Sequence, residues 1–228
     1  MILNASQRTD IPSFFSDWFF NRVQKGFVCV RNPYNPLSIT RYRLDPSVVD
    51  GIIFTTKNSE PMISRLSSIA GLNPYFFVTI TPYENDIEPN VPYYCTVAHS
   101  VIKLASIIGS ASLCWRYDPI LITTKYSIAH HIKVFTELCK ILEHSVSSCV
   151  ISFVQLYEKT KRNFPSLREV TLEEKKELLE SLVPIALRYG IKIRTCAVTE
   201  DFSIEGLEKK GCITRSVFAS YTGIQVPP

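Results

Sequence analysis

Six short apolar runs along the chain each end in a compact group of polar residues. Residues 1–5 lead into Ser6-Gln7-Arg8-Thr9-Asp10, 51–56 into Lys57-Asn58, and 75–80 into Thr81-Pro82-Tyr83-Glu84. Residues 112–115 lead into Arg116-Tyr117-Asp118, 149–154 into Gln155-Leu156-Tyr157-Glu158, and 191–195 into Cys196. Helical periods fill the spaces between them. Phe14, Phe15, Trp18, Phe19 and Val23 predict a helix over 13–25 stopped by Gly26, and Ser59-Glu60-Pro61 opens another through Met62, Leu66 and Ile69 to Gly71. Val97, Val101, Leu104, Ala105 and Ile108 predict a third helix, and a Ser127 cap precedes the apolar face Ile128, Ile132, Phe135, Leu138, Cys139 and Leu142. Thr171 with Glu174 forms a capping box ahead of Leu178, Leu179, Leu182, Ile185 and Ala186; Pro184 is expected to kink that helix and Gly190 to end it.

Strands alternating with helices in this way pair in parallel through right-handed crossovers. The predicted fold is therefore α/β, a TIM-like (β/α) full or partial barrel with outer helices, as a single domain over 1–228. Only 27–44 breaks the alternation, and it reads as two short strands joined by a turn stiffened at Pro33 and Pro36. Residues 220–228 read as a tail, or as the stub of something longer.

Composition narrows the class. With 228 residues, 46% of them hydrophobic, the chain can bury one sizeable core, and no run of about 18 apolar residues suggests a membrane span. The amino terminus lacks a basic leader, so a cytoplasmic protein is expected. Seven dispersed cysteines in apolar runs read as reduced thiols. A balance of 25 Lys+Arg against 21 Asp+Glu is too mild to indicate nucleic acid without a basic stripe. No glycine-rich phosphate loop and no His-x-x-x-His spacing occurs, which removes the common nucleotide folds and a zinc helix.

In a parallel barrel the polar groups at the strand ends share one mouth, where such folds keep their active sites. Arg8 and Asp10 could bind and orient an anion or pair with each other, and Lys57 could hold a phosphate or act as a base. Arg116 and Asp118 share one strand face by period-two alternation, and their plainer reading is a buried ion pair. Glu84, Asp86 and Glu88 form an acidic loop, read first as solvated and second as a cation site. The basic run from Lys159 to Arg162 could hold a polyanion, its plainer reading being a solvated face, and Cys196 could be a thiolate if Arg194 or a neighbour lowers its pKa, its plainer reading being a core cysteine.

The blocks SQRTDIP (6–12), VRNPYNP (30–36), TKN (56–58), TPY (81–83), DIEP (86–89), WRYDPI (115–120), CVISF (149–153) and KTKRN (159–163) resemble, in order, a bacterial family of unknown function, number 1848 among such domains. The resemblance implies an α/β barrel related to radical S-adenosylmethionine enzymes. In longer members a carboxyl-terminal cysteine-rich segment is held to carry an iron–sulfur cluster. This chain has no three closely spaced cysteines, so no cofactor is supported within it, and a 4Fe-4S cluster with S-adenosylmethionine is expected only in a form extended past Pro228. The shared polar positions are Arg8, Asp10, Arg31, Asn32, Lys57, Asn58, Arg116, Asp118, Lys159 and Arg162.

The leading expectation is thus a radical-SAM-like, enzyme-like domain that binds an anionic small molecule or nucleotide at the strand ends. Asp10, Lys57 and Asp118 are the catalytic candidates. Arg8, Arg31, Asn32, Asn58, Arg116, Lys159 and Arg162 are the binding candidates, and no metal ligands are assigned. Two alternatives remain open: a silent nucleic-acid-binding module using Lys159 to Arg162, and a metal-dependent hydrolase using Asp10, Glu84 and Asp118. The sequence specifies no reaction and no oligomeric state.

Overall fold

A computed structural model describes residues 1–198 and 200–209, together with Cys212, Phe218, Ala219 and Gly223. Its strands are β1 (Ile2–Asn4), β2 (Phe27–Arg31), β3 (Ile39–Arg43), β4 (Gly51–Thr56), β5 (Pro74–Thr79), β6 (Leu113–Ile120), β7 (Ser148–Phe153), β8 (Lys192–Thr195) and β9 (Leu207–Lys209). Its helices are α1 (Ile11–Phe14), α2 (Ser16–Lys25), α3 (Glu60–Ile63), α4 (Tyr94–Ile108), α5 (Ile128–Leu142), α6 (Glu158–Asn163) and α7 (Leu172–Arg188). Seven strands pair in parallel in the order β1-β4-β5-β6-β7-β8-β9, while β2 and β3 form a separate antiparallel hairpin. The sheet is a partial α/β barrel, and β1 and β9 are its edges among the described residues. No helix among them is long and apolar enough to cross a membrane.

Both faces of the sheet are covered, which explains why the strand segments read as nearly continuous apolar runs. Phe54, Phe76, Val78, Trp115, Tyr117, Ile151 and Ile193 face the helices and meet Val101, Leu104, Phe135, Leu138, Leu178 and Leu182. Ile53, Tyr75, Phe77, Cys114 and Val150 face inward and are closed over by Phe218. Gly51 matters here, because a Cβ at that position would lie 2.1 Å from Phe218 Cζ. The Trp115 ring stacks on Phe135 at 4.7 Å between centroids, and its indole N–H donates to Ile80 O at 3.0 Å. Truncating so large a buried ring costs about 3–5 kcal/mol, so β6 is the central spar that carries the mouth.

The alternation of strands and helices and the isolated hairpin follow the sequence reading, and Ser127 and Thr171 cap their helices as expected. Several details differ. Asp10 starts a short α1 at Ile11, and the chain breaks at Phe15 before α2, so the helix expected over 13–25 is two helices. The Ser59 hydroxyl bonds to Ser100 instead of capping α3, and the helix expected as far as Gly71 tightens into a 3₁₀ segment at Leu66–Leu72. Helix α7 runs on through Pro184 to Arg188. β6 extends five residues past Trp115, to Ile120, and takes Arg116 and Asp118 into the sheet. β9 was not expected; its three residues are fixed by pairing with β8. The basic run after β7 is helical. Of the tail expected over 220–228, all but Gly223 lies outside the described residues.

Candidate active site

The carboxyl ends of β4 to β8 lie side by side. Register pairs Thr79 of β5 with Arg116 of β6, and Arg116 with Val150 of β7. Alternation sends Trp115 and Tyr117 into the helical layer, and it leaves Arg116 and Asp118 together on the inner face. Arg116 Nε donates to Asp118 Oδ1 at 2.9 Å and Nη2 donates to Oδ2, giving a bidentate pair. Their side chains are 19% and 9% exposed, so the pair is largely dry yet open on one side. Burial works against the Arg116 charge, but the bonds to Asp118 outweigh it and push the guanidinium above its ordinary range. Ser152, at the same level of β7, donates to Asp118 Oδ2 at 3.4 Å.

A second pair stands one strand beyond β5. Lys57 Nζ, just past β4, lies 2.7 Å from Glu88 Oε1, and Thr81 Oγ1 donates to Glu88 Oε2 at 3.0 Å. Asp10 is committed to the backbone: it accepts from Ser13 N at 2.9 Å, as the cap of α1, and from Lys57 N at 2.8 Å. It therefore ties the loop after β1 to the end of β4. Asn58 does similar local work, its Oδ1 accepting from Glu60 N and its carbonyl from Ser13 Oγ.

On the far side of Arg116, Cys196 follows β8 and its Sγ lies 3.3 Å from that of Cys212. Burial, and then the bond to Cys212, raise the Cys196 thiol above its ordinary pKa, and Arg116 opposes this only in part. Arg194 does not activate it. That side chain is fully buried lower in the barrel, where it donates to Ser148 Oγ at 3.3 Å and to Cys114 Sγ at 3.4 Å.

The other candidate residues sit elsewhere. Arg8 is exposed and turns to the hairpin, donating from Nη1 to Arg31 O at 2.9 Å. Asn32 closes the hairpin turn, accepting from Tyr34 N at 2.8 Å. Lys159 and Arg162 are exposed on α6. Glu84 and Asp86 both pair with Lys125 on the outer loop, so Glu84 is drawn away from Asp10 and Asp118. Among the described residues no three His, Cys, Asp or Glu side chains gather into a metal-holding group. They accordingly do not fit a 4Fe-4S cluster, which needs three thiolates.

Period-two alternation exposed Arg116 and Asp118 in the sequence. Glu88 was read there only as part of an acidic loop, whereas Ser152 and Cys212 carried no local signal, since each is recruited through space.

No curated protein matches the chain. A solved structure of a spore photoproduct lyase mutant with bound AdoMet and dinucleoside spore photoproduct is similar in fold, with a TM-score of 0.56 at 13% identity. The match covers 85% of this chain and 60% of that one, so this chain spans less than two thirds of its neighbour's length. Arg116-Tyr117-Asp118 and the other polar blocks at the strand ends lie within residues 2–227, which match the model described as "Domain of unknown function (DUF1848)", and the chain belongs to that family.

Proposed function

We propose that the mouth of this radical-SAM-like barrel binds a small nucleoside-type or nucleotide-type molecule bearing an anionic group, with S-adenosylmethionine among the candidates. One observation carries the reading. Two cations of the mouth, Lys57 and Arg116, each come with a carboxylate, Glu88 and Asp118, the first pair past the end of β4 and the second on β6, with β5 between them. Such a mouth offers paired donors and acceptors at once. A ligand carboxylate or phosphate can engage Lys57 or Arg116, and a ligand cation can engage the released Glu88 or Asp118. The AdoMet and dinucleoside in the neighbouring lyase support a ligand of this chemistry.

S-adenosylmethionine would supply an alkyl group activated on a sulfonium. No step through an iron–sulfur cluster is assigned to the described residues. Within the mouth Asp118 orients the Arg116 guanidinium, Asp10 positions Lys57 through its backbone amide, and Thr81 and Ser152 hold the carboxylates. The free cysteines, three of them fully buried, support a reducing, cytoplasmic setting.

Titration calorimetry with S-adenosylmethionine, S-adenosylhomocysteine and AMP tests the proposal. At least one is expected to bind, and Arg116→Gln or Lys57→Gln should weaken it. A charge-assisted hydrogen bond is worth about 1.5–3 kcal/mol, a loss of roughly 10- to 150-fold. Absence of binding at millimolar ligand, or unchanged affinity in both variants, overturns it.

A further inference from the structure

A cavity of about 600 Å³ lies between β1, α2 and the β2–β3 hairpin, with none of Lys57, Glu88, Arg116 or Asp118 in its lining. Its volume lies in the range of small-molecule sites. The walls are mainly apolar, with Trp18 and Phe19 from α2, Val28 and Val30 from β2, and Tyr42 from β3. Three arginines also line it, Arg8 after β1, Arg22 on α2 and Arg31 at the end of β2, and the described lining contains no Asp or Glu. Arg22 is the telling member. Its Nη2 donates to Asn21 Oδ1, but its Nε is sealed from solvent and has no hydrogen-bond partner among the described residues. Buried donors are nearly always satisfied, so the Arg22 guanidinium gains an acceptor for its sealed Nε–H by turning it toward the cavity, where a bound anion supplies one. Arg8 spends one N–H on Arg31 O and keeps others for a ligand.

We infer that this cavity is a second binding site, for a free amphipathic anion with a carboxylate-type or sulfonate-type head and an aliphatic or aromatic body. The head takes Arg22 and Arg8, and the body lies along Trp18, Val28, Val30 and Tyr42. Net positive lining selects the anion over a neutral analogue, and apolar walls select it over a bare ion. The inference does not depend on the mouth, which uses other residues.

Decanoate is a suitable probe, with decanol as its neutral counterpart. The chain has two tryptophans, Trp18, which is 46% exposed at the cavity, and Trp115, which is fully buried. Saturable change in tryptophan emission on adding decanoate is expected, and Trp18→Phe should abolish that signal. Arg22→Gln and Arg8→Gln should each raise the dissociation constant at least tenfold, decanol should bind at least tenfold more weakly than decanoate, and Arg116→Gln, which alters the mouth, should leave decanoate affinity within twofold of wild type. Thermal melts of each variant confirm folding, and because Arg8 is exposed its variant keeps the test alive if Arg22→Gln unfolds. Equal affinity for decanol and decanoate, no effect of either arginine variant, or a response only above the micelle concentration overturns the inference. Loss of mouth binding in Arg116→Gln with decanoate binding intact separates the two sites.

Discussion

Asp10 has both carboxylate oxygens engaged with backbone amides, one across to Ser13 N in α1 and one to Lys57 N beyond β4. Asp10→Ala removes both bonds. Loss of a helix cap costs typically about 1 kcal/mol. Loss of a charge-assisted acceptor for the Lys57 amide costs about 1.5–3 kcal/mol. Asp10 is partly exposed, and water can replace some of what is lost, so the expected total is about 2–3 kcal/mol rather than the full sum. Asp10→Asn keeps one carbonyl acceptor and loses the charge, for an expected cost of about 1 kcal/mol. Urea unfolding followed by far-ultraviolet circular dichroism measures both changes, provided the denaturant slope is shared. A value under 0.5 kcal/mol for Asp10→Ala, or equal losses for Asn and Ala, would refute a role as backbone clamp. The same clamp sets where Lys57 leaves β4, so ligand affinity at the mouth should fall in the same order, wild type above Asn above Ala.

Further outcomes follow from buried groups. Burial lowers the His131 pKa from 6.5 to about 4, with Tyr117 Oη 2.9 Å from Nδ1 and Leu121 O 2.9 Å from Nε2, a setting that a neutral ring satisfies. The unfolded chain takes up that proton first, so stability should drop as pH falls from 6.5 towards 4, by at most about 3 kcal/mol, and should be flat above this window. His131→Phe should flatten urea midpoints between pH 7 and 5; an unchanged slope removes the assignment. Gly51→Ala drives a methyl into Phe218 and should cost about 1–3 kcal/mol through overpacking, most of it recovered in combination with Phe218→Ala; additive losses in that double-mutant cycle would contradict the contact. Cys196 and Cys212 need their sulfurs to close from 3.3 Å to about 2.05 Å to form a bond. We expect oxidised glutathione to link them, leaving tryptic peptides 195–209 and 211–215 joined; mixed glutathione adducts alone would count against the pairing.

Much of the fold was legible because parallel strands covered on both faces leave apolar runs, and crossover helices leave caps such as Ser127 and Thr171. β6 was read too short for a physical reason. The inner face of a partial barrel turns polar at its mouth, so Arg116 and Asp118 look like the end of a strand while Tyr117 and Ile120 continue it into the core. β9 left no trace, because Leu207-Glu208-Lys209 has no pattern of its own and is held only by β8. The pairing of Arg116 with Asp118 needed only local alternation. That of Lys57 with Glu88 depends on how the loop after β5 closes, and that of Arg8 with Arg31 O on how the hairpin docks against β1, and neither is written in a short stretch of sequence.

Docking of the hairpin also changes the electrostatic reading. Counted along the chain, Arg8, Lys57 and Arg116 look like one trap for an anion. In three dimensions Lys57 and Arg116 are each matched by a carboxylate, while Arg8 joins Arg22 and Arg31 around a lining with no acid among the described residues. A matched pair exerts little field at a distance, and an approaching anion must displace a carboxylate before it gains a cation, so recognition at the mouth turns on geometry at contact. An unmatched cluster attracts from farther away and is screened as salt rises, because its charge is not cancelled locally. The mouth therefore discriminates by the arrangement of both charges on a ligand, and the cavity by net charge together with apolar bulk.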